Sequence, residues 1–252
     1  MEAYKLKLIF FSDIHGNKYS FQAFLTHLDR MDYDKVVFCG DVFGYYYYAE
    51  EIVQEMRVRE FCCLLGNHDA MLLDMAQKKY SKDYIRDLIR RYGSVYDNVD
   101  KSISKDTIDF LSILKPKLEF EMTGFKIGVF HGTPDDPLNG RLYPDTEIKD
   151  EDRYNRYDCV ILGHTHHKMV RHLNHTLILN PGSLGQQRDG RGCSYLIVDT
   201  IKKIYQFKVV EYNYKALIDD VHEKDPDKEF LASVLTRTPR RRAENESISD
   251  RL

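Results

Sequence analysis

Lys7-Leu8-Ile9-Phe10-Phe11-Ser12-Asp13-Ile14-His15 runs from an apolar stretch straight into a polar loop. A continuous apolar run of this kind reads as a strand buried on both faces. The pattern recurs twice. Val36–Cys39 is a short apolar run followed by Gly40-Asp41, and Phe61–Leu65 is another, ending in Gly66-Asn67-His68-Asp69. Helical spacing separates them: Phe21, Phe24, Leu25 and Leu28 predict an amphipathic helix over Lys18–Met31, and Ala49–Met56 predicts a second. The order is β-α-β-α-β.

Residues 70–115 differ, with helices predicted near Ala70–Lys79, over Lys82–Tyr92 and over Lys105–Leu114. Ser104 is the N-cap of the last, and Pro116 lies beyond its end. This segment is expected to form a small helical cap. Strands follow at Leu118–Met122 and Lys126–Phe130, with Thr123-Gly124 as the turn signal. Further strands are predicted at Cys159–Leu162, Thr176–Leu179, Ser194–Asp199 and Ile204–Val210. The whole reads as a layered α/β protein with mixed sheets, one domain over residues 1–235 and a flexible tail over 236–252. That tail carries Arg237, Pro239, Arg240, Arg241 and Arg242.

The chain has 252 residues with 37 Lys plus Arg against 40 Asp plus Glu, a formal charge of −3. This near balance argues against a polybasic binder of long nucleic acid or of membranes. No apolar run approaches the roughly 20 residues of a membrane helix. The opening residues show no signal-peptide pattern. The five cysteines form no metal-ligand pattern and read as buried reduced thiols, which suggests the cytoplasm.

Five loops place Asp, Asn or His directly after an apolar strand: Asp13-Ile14-His15, Gly40-Asp41, Gly66-Asn67-His68-Asp69, His131-Gly132 and Gly163-His164-Thr165-His166. The ends of buried strands are where sites of α/β proteins are built. One such histidine is commonly structural; five such loops are not readily explained that way. A mixed N/O donor set without thiolate fits Mn, Fe, Zn, Ni or Co better than a structural zinc site. So many donors exceed one tetrahedral ion and suit two ions about 3.5–4 Å apart. Two divalent cations, two aspartates and a hydroxide leave a net charge of about +1, which favours an anionic substrate and phosphoester hydrolysis over peptide hydrolysis.

In this order the five motifs resemble the calcineurin-like metallophosphoesterase superfamily, over roughly residues 7–200. Gly40-Asp41-Val42-Phe43-Gly44-Tyr45, the run from His131 to Leu138 and the run from Asn180 to Gly190 are similar to its small prokaryotic phosphodiesterase branch (YfcE-like). The resemblance implies two packed mixed β-sheets flanked by helices, with two divalent transition-metal ions, manganese foremost, at the strand ends. It implies one metal on Asp13, His15, Asp41 and His166, and a second on Asp41, Asn67, His131 and His164. Asp41 would bridge, a bridging hydroxide would attack phosphorus, and His68 would donate a proton to the leaving oxygen or stabilise charge there.

Gly-Asp-x-x-Asp-Arg-Gly of protein phosphatases and dinucleoside tetraphosphatases is absent; Gly40-Asp41-Val42-Phe43-Gly44-Tyr45-Tyr46 stands in its place. His68 thus lacks that family's carboxylate partner, with Asp69 the candidate substitute. Arg188 could hold a phosphate with forked donors. Tyr45, first of the run Tyr45–Tyr48, could stack a nucleobase, although packing of the run against the cap is the simpler expectation. His167 is expected at the surface or behind the ligands, and His27, His172, His175 and His222 away from the site. The functional expectation is a phosphodiesterase acting on a small phosphorylated substrate, a nucleotide being one candidate. Phosphomonoesterase or protein phosphatase activity is the alternative, and a non-catalytic scaffold, as in the retromer subunit of this fold, is a third. A homo-oligomer is compatible with the exposed part of the cap.

Overall fold

The computed structural model describes residues 7–237, apart from Asn98, Thr123, Arg191 and the side chain of Asp100. The chain first alternates β1 (Lys7–Phe11), α1 (Lys18–Leu28), β2 (Lys35–Phe38), α2 (Ala49–Val58) and β3 (Cys62–Cys63). A helical stretch follows, with α3 (Asn67–Ala76), α4 (Lys82–Tyr92), α5 (Val99–Ser102) and α6 (Lys105–Ser112). Then come β4 (Lys117–Met122), β5 (Phe125–Phe130), α7 (Glu151–Tyr154), β6 (Cys159–Leu162), β7 (Lys168–Leu173) and β8 (Thr176–Pro181). The described chain closes with β9 (Ser194–Asp199), β10 (Ile204–Val209), α8 (Tyr214–Lys224) and α9 (Glu229–Ser233).

The strands form two mixed five-stranded sheets, β10-β9-β1-β2-β3 and β4-β5-β6-β8-β7. Parallel pairing joins β1, β2 and β3 in the first and β5, β6 and β8 in the second, with antiparallel strands outside them. Side chains of a strand alternate between faces, and β1 is apolar on both because both are covered. Leu8 and Phe10 face the second sheet, meeting a cluster with Ile127, Val129, Ile161 and Leu179. Ile9 and Phe11 face outward and pack with Phe24 of α1, Ile52 of α2, Leu72 of α3, Leu88 of α4 and Leu111 of α6. The helical block over 70–115 therefore contributes to the main core. The outer face of the second sheet is covered by Leu142 and Tyr154.

Several expectations shift. The helix expected from Ala70 begins at Asn67, because the Asp69 carboxylate accepts the Gly66 N–H at 2.9 Å and caps the turn from inside. Asn67 and His68 therefore stand on a helix rather than a loop. The strand expected over Phe61–Leu65 shrinks to Cys62–Cys63 at a sheet edge. Elements β7, α5, α7, α8 and α9 are additional to the expected ones. Cys39, Cys159 and Cys193 are buried free thiols, whereas Cys62 and Cys63 are only half-buried, being on that edge.

The tyrosine run packs mainly on the carboxyl-terminal helices, not on the cap. Tyr46 Oη donates to the Leu231 carbonyl at 2.9 Å, Tyr47 Oη to Asp225 at 2.8 Å and Tyr48 Oη to Asp220 at 2.8 Å. Asp225 also accepts the Ser94 N–H and hydroxyl, both at 2.8 Å, which ties the helical block to the same joint. Beyond Arg237 the Arg-rich tail lies outside the described residues. Among the described residues no helix is long and apolar enough to cross a membrane.

Phe11 is the hub of the aromatic core, 4.7 Å from Phe24, 5.0 Å from Phe38 and 6.0 Å from Phe61 between ring centroids. Phe11→Ala should cost about 3–5 kcal/mol in urea unfolding, against about 0.5–1.5 kcal/mol for Ile9→Val on the same face. Equal costs would show that the cluster is not the main source of cohesion.

Candidate metal centre

The carboxyl ends of β1, β2, β5 and β6 converge, and the start of α3 joins them. Backbone hydrogen bonds fasten the loops together: Asp13 N–H to the Gly40 carbonyl, His15 N–H to the Asp41 carbonyl and Gly163 N–H to the His131 carbonyl, all at 3.0 Å. Asp13, His15, Asp41, His164 and His166 all adopt positive φ, between 48° and 66°. Left-handed backbone is uncommon outside glycine and costs about 1–3 kcal/mol where it is strained. Five such residues in one place mean that the surrounding fold over-determines their positions. Gly44, at φ +98°, is irreplaceable for a different reason: a Cβ there would lie 2.5 Å from His68 Nδ1.

Seven expected ligands are brought together. Asp13, His15 and His166 form one group of donor atoms within 4.8 Å of one another, and Asp41, His131 and His164 form another. Asn67 Oδ1 lies 3.0 Å from His131 Nε2 and so joins the second. Asp41 Oδ2 is 3.5 Å from His131 Nε2 and 3.8 Å from His15 Nε2, facing both groups. The other oxygen of Asp41 accepts the His68 N–H at 2.8 Å. Three imidazoles are held by backbone carbonyls: His15 Nδ1 by Phe43, His131 Nδ1 by Cys39 and His166 Nδ1 by Gln186, at 2.7–2.8 Å. A carbonyl only accepts, so each Nδ1 carries a proton, and in the neutral ring the Nε2 lone pair faces the carboxylates.

That arrangement fits cations. His15 Nε2 and His166 Nε2 face each other at 3.0 Å, lone pair to lone pair. Asp13 Oδ1 is buried with no hydrogen-bond partner among the described residues. Burial raises the Asp13 pKa, with the Asp41 charge adding to the effect. Burial also acts to raise Asp41, but His131 and His68 outweigh it and hold that carboxyl well below its ordinary value. Burial would lower His131, yet Asp41 and Asp13 push it up to about 9. The carboxylates thus draw positive charge into the cluster. Burial lowers His15 and His166 well below the ordinary value, helped by the neighbouring imidazole at His15 and by Arg188 at His166. Burial and then His131 lower His164 to about 4, so these rings are neutral and ready to ligate.

His68 stands beside these donor groups, its ring 5.0 Å from His15, 5.1 Å from Tyr45 and 4.9 Å from Tyr92. Its Nδ1 pairs with Tyr96 Oη at 2.5 Å. Asp69, the expected partner, is committed elsewhere: it accepts the N–H groups of Asp41, Val42, Phe43 and Gly66. Arg188 Nη2 donates to Tyr45 Oη at 2.8 Å and to Gln186 Oε1 at 3.1 Å. Tyr45 is 8% exposed, so little of its ring is open for stacking. His167 is half-buried against Tyr143, and its Nδ1 pairs with the Thr165 carbonyl. His27, His172, His175 and His222 lie outside the donor groups. Two residues escaped sequence reasoning. Tyr96 has no local motif, and Arg141, whose Nε is 2.9 Å from His164 Nε2, is marked only by following the His131 loop.

Residues 6–203 match the calcineurin-like phosphoesterase superfamily domain, and the chain belongs to that superfamily. An uncharacterised protein of Methanocaldococcus jannaschii is 29% identical over 221 residues, 81% of this chain and 86% of the relative. A metallophosphoesterase of Sphaerobacter thermophilus superposes with a TM-score of 0.72 at 22% identity, covering 91% of this chain and 98% of that one. A hypothetical protein of Pyrococcus horikoshii gives 0.76 at 17% identity, covering 92% and 98%. At such identities the two structures establish the fold.

Asp13→Asn removes a buried charge while keeping an acceptor for the His164 N–H, and asparagine tolerates the positive φ. The metal-free variant should gain about 1–3 kcal/mol, seen as a higher Tm, while binding less metal by elemental analysis. A metal-free variant less stable than the parent would contradict this account of the cluster.

Proposed function

We propose that the protein is a dinuclear metal-dependent phosphodiesterase of the small prokaryotic branch, acting on a small phosphodiester such as a nucleotide derivative. The carrying observation is that Asp41 faces two separate Asp/His groups at once. Asp13, His15, Asp41 and His166 would hold one divalent ion, and Asp41, Asn67, His131 and His164 the other. The donor set suits manganese, with Fe, Zn, Ni or Co as alternatives. Such a pair polarises phosphoryl oxygens and lowers the pKa of a bound water.

His68 contributes at the leaving oxygen. Burial lowers its pKa to about 4, so the imidazole works neutral. Burial raises Tyr96 well above the ordinary phenol value, so Tyr96 keeps its proton. A Tyr96 O–H donating to His68 Nδ1 leaves the imidazole proton on Nε2. His68 then stabilises developing negative charge through Nε2–H instead of working as an imidazolium acid. Tyr96 is a positioning residue. Arg188, steered by Tyr45 and Gln186, adds positive charge beside His68 and His166.

The diester reading draws on the absent Asp-Arg pair of the phosphatase motif, replaced at Gly44-Tyr45, and on the half-buried Tyr92 ring 4.9 Å from His68, which suits a second ester substituent. The five free thiols accord with a cytoplasmic setting. The domain comprises residues 1–235, with 70–115 as its helical segment.

Chelation should abolish hydrolysis, and manganese should restore it at two ions per chain by elemental analysis. The restored protein should turn over bis-p-nitrophenyl phosphate faster than p-nitrophenyl phosphate; the reverse order would make it a monoesterase.

His68→Ala should lower kcat by about 100-fold or more with metal content intact. Tyr96→Phe should lower kcat by roughly 10-fold at unchanged KM and metal content, the loss of one hydrogen bond to a catalytic ring. A fully active His68→Ala protein would remove the residue from the mechanism.

A further inference from the structure

Arg141 reaches the metal centre from a loop that no motif marks. Its backbone is fixed on both sides. A Cβ on the preceding Gly140 would lie 1.9 Å from Thr133 Oγ1 and 2.7 Å from the Asp136 carbonyl oxygen, so the loop closes there without room for a side chain. Gly132 N–H donates to the Pro137 carbonyl at 2.7 Å and Gly140 N–H to the Asp136 carbonyl at 3.0 Å, which makes the turn compact. Leu142, the next residue, is buried against the second sheet with Phe130 and Tyr154. Between these anchors Arg141 itself is exposed. The loop therefore delivers a guanidinium to the rim of the site and leaves the side chain able to turn.

The contact of Arg141 Nε with His164 Nε2 consumes the single lone pair of a neutral imidazole. A metal bound through Nε2 would use that same lone pair. A metal bound through Nδ1 would leave the proton on Nε2, and two donors would then face each other. Whichever nitrogen ligates, the contact and a metal-bound His164 exclude one another. Arg141 must leave Nε2 when the second ion loads. Among the described residues no carboxylate pairs with it. A forked cation released beside a dinuclear centre is matched by the non-bridging oxygens of a phosphate group.

We propose that Arg141 is a substrate-anion clamp whose guanidinium turns from His164 onto a phosphate group of the substrate. This rests on the phosphoesterase reading above. Arg188 acts on the His68 and His166 side and Arg141 on the His164 side, so the two guanidinium groups approach the centre from different flanks.

The test is calorimetric titration of inorganic phosphate into the manganese-loaded wild type, Arg141→Ala and Arg141→Lys, with manganese content measured on each. Arg141→Ala should weaken phosphate binding by about 10- to 100-fold, the range for a charge-assisted hydrogen bond. Arg141→Lys should fall between, keeping the charge without the fork. A separate manganese titration, without phosphate, should show the weaker ion binding about 10-fold tighter to Arg141→Ala, because the charge-assisted bond from the guanidinium no longer competes for His164. Unchanged phosphate affinity at full manganese content would overturn the clamp, and so would weakened manganese binding in Arg141→Ala. A wild type that hydrolyses phosphoesters while Arg141→Ala matches it in phosphate binding sinks this inference alone. A manganese-loaded wild type that neither hydrolyses nor binds phosphate sinks the phosphoesterase reading together with it.

Discussion

One buried carboxylate holds the site in shape. Asp69 accepts four backbone N–H groups, three from the loop after β2 and one from the turn before α3. Those bonds fix where Asp41 leaves its strand and where α3 begins. Asp41 in turn accepts the His68 N–H. Asp41 and the His68 imidazole are thus referenced to a single group. Burial and the nearby Asp41 charge raise Asp69 to about 7, while the N–H donors act in the opposite direction. An acid so placed is costly to bury, and its multiple hydrogen bonds offset that cost.

The rest of the Asp/His cluster depends on backbone strain absorbed by the sheets. Positive φ at Asp13 and His15 turns both side chains off the end of β1, and the same device at His164 and His166 turns two imidazoles off β6. The parallel strands beneath are covered on both faces and resist relaxation. Rigidity in the core is what allows unfavourable torsions at the rim.

The strands were legible because their apolar runs end abruptly in polar loops, as Phe11 gives way to Asp13 and Leu162 to His164. The clustered Asp, Asn and His residues were legible because each lies within a few residues of such an end. What escaped depends on partners remote in the chain. Tyr96 meets His68 across 28 positions and Arg141 meets His164 across 23, and neither pairing leaves a local pattern. The start of α3 escaped because Asp69, an ordinary acid in sequence, caps from within the first turn. Strand β7 interleaves Lys168, Arg171 and His172 with apolar residues at a sheet edge, which dilutes its alternation. Helix α8 carried readable signals, an Asn213 cap with Leu217 and Val221 one turn apart, and could have been found.

The tyrosine joint has a consequence for assembly during synthesis. The loop that follows Asp41 is clipped through Tyr46, Tyr47 and Tyr48 to Asp220, Asp225 and Leu231, and Gln187 is clipped to the Leu235 carbonyl. A chain leaves the ribosome amino end first. The first strands can therefore pair early, while the loop bearing Asp41 waits for segments that lie 172 to 185 residues further along the chain. That floor of the site is then completed only after those distant segments have emerged.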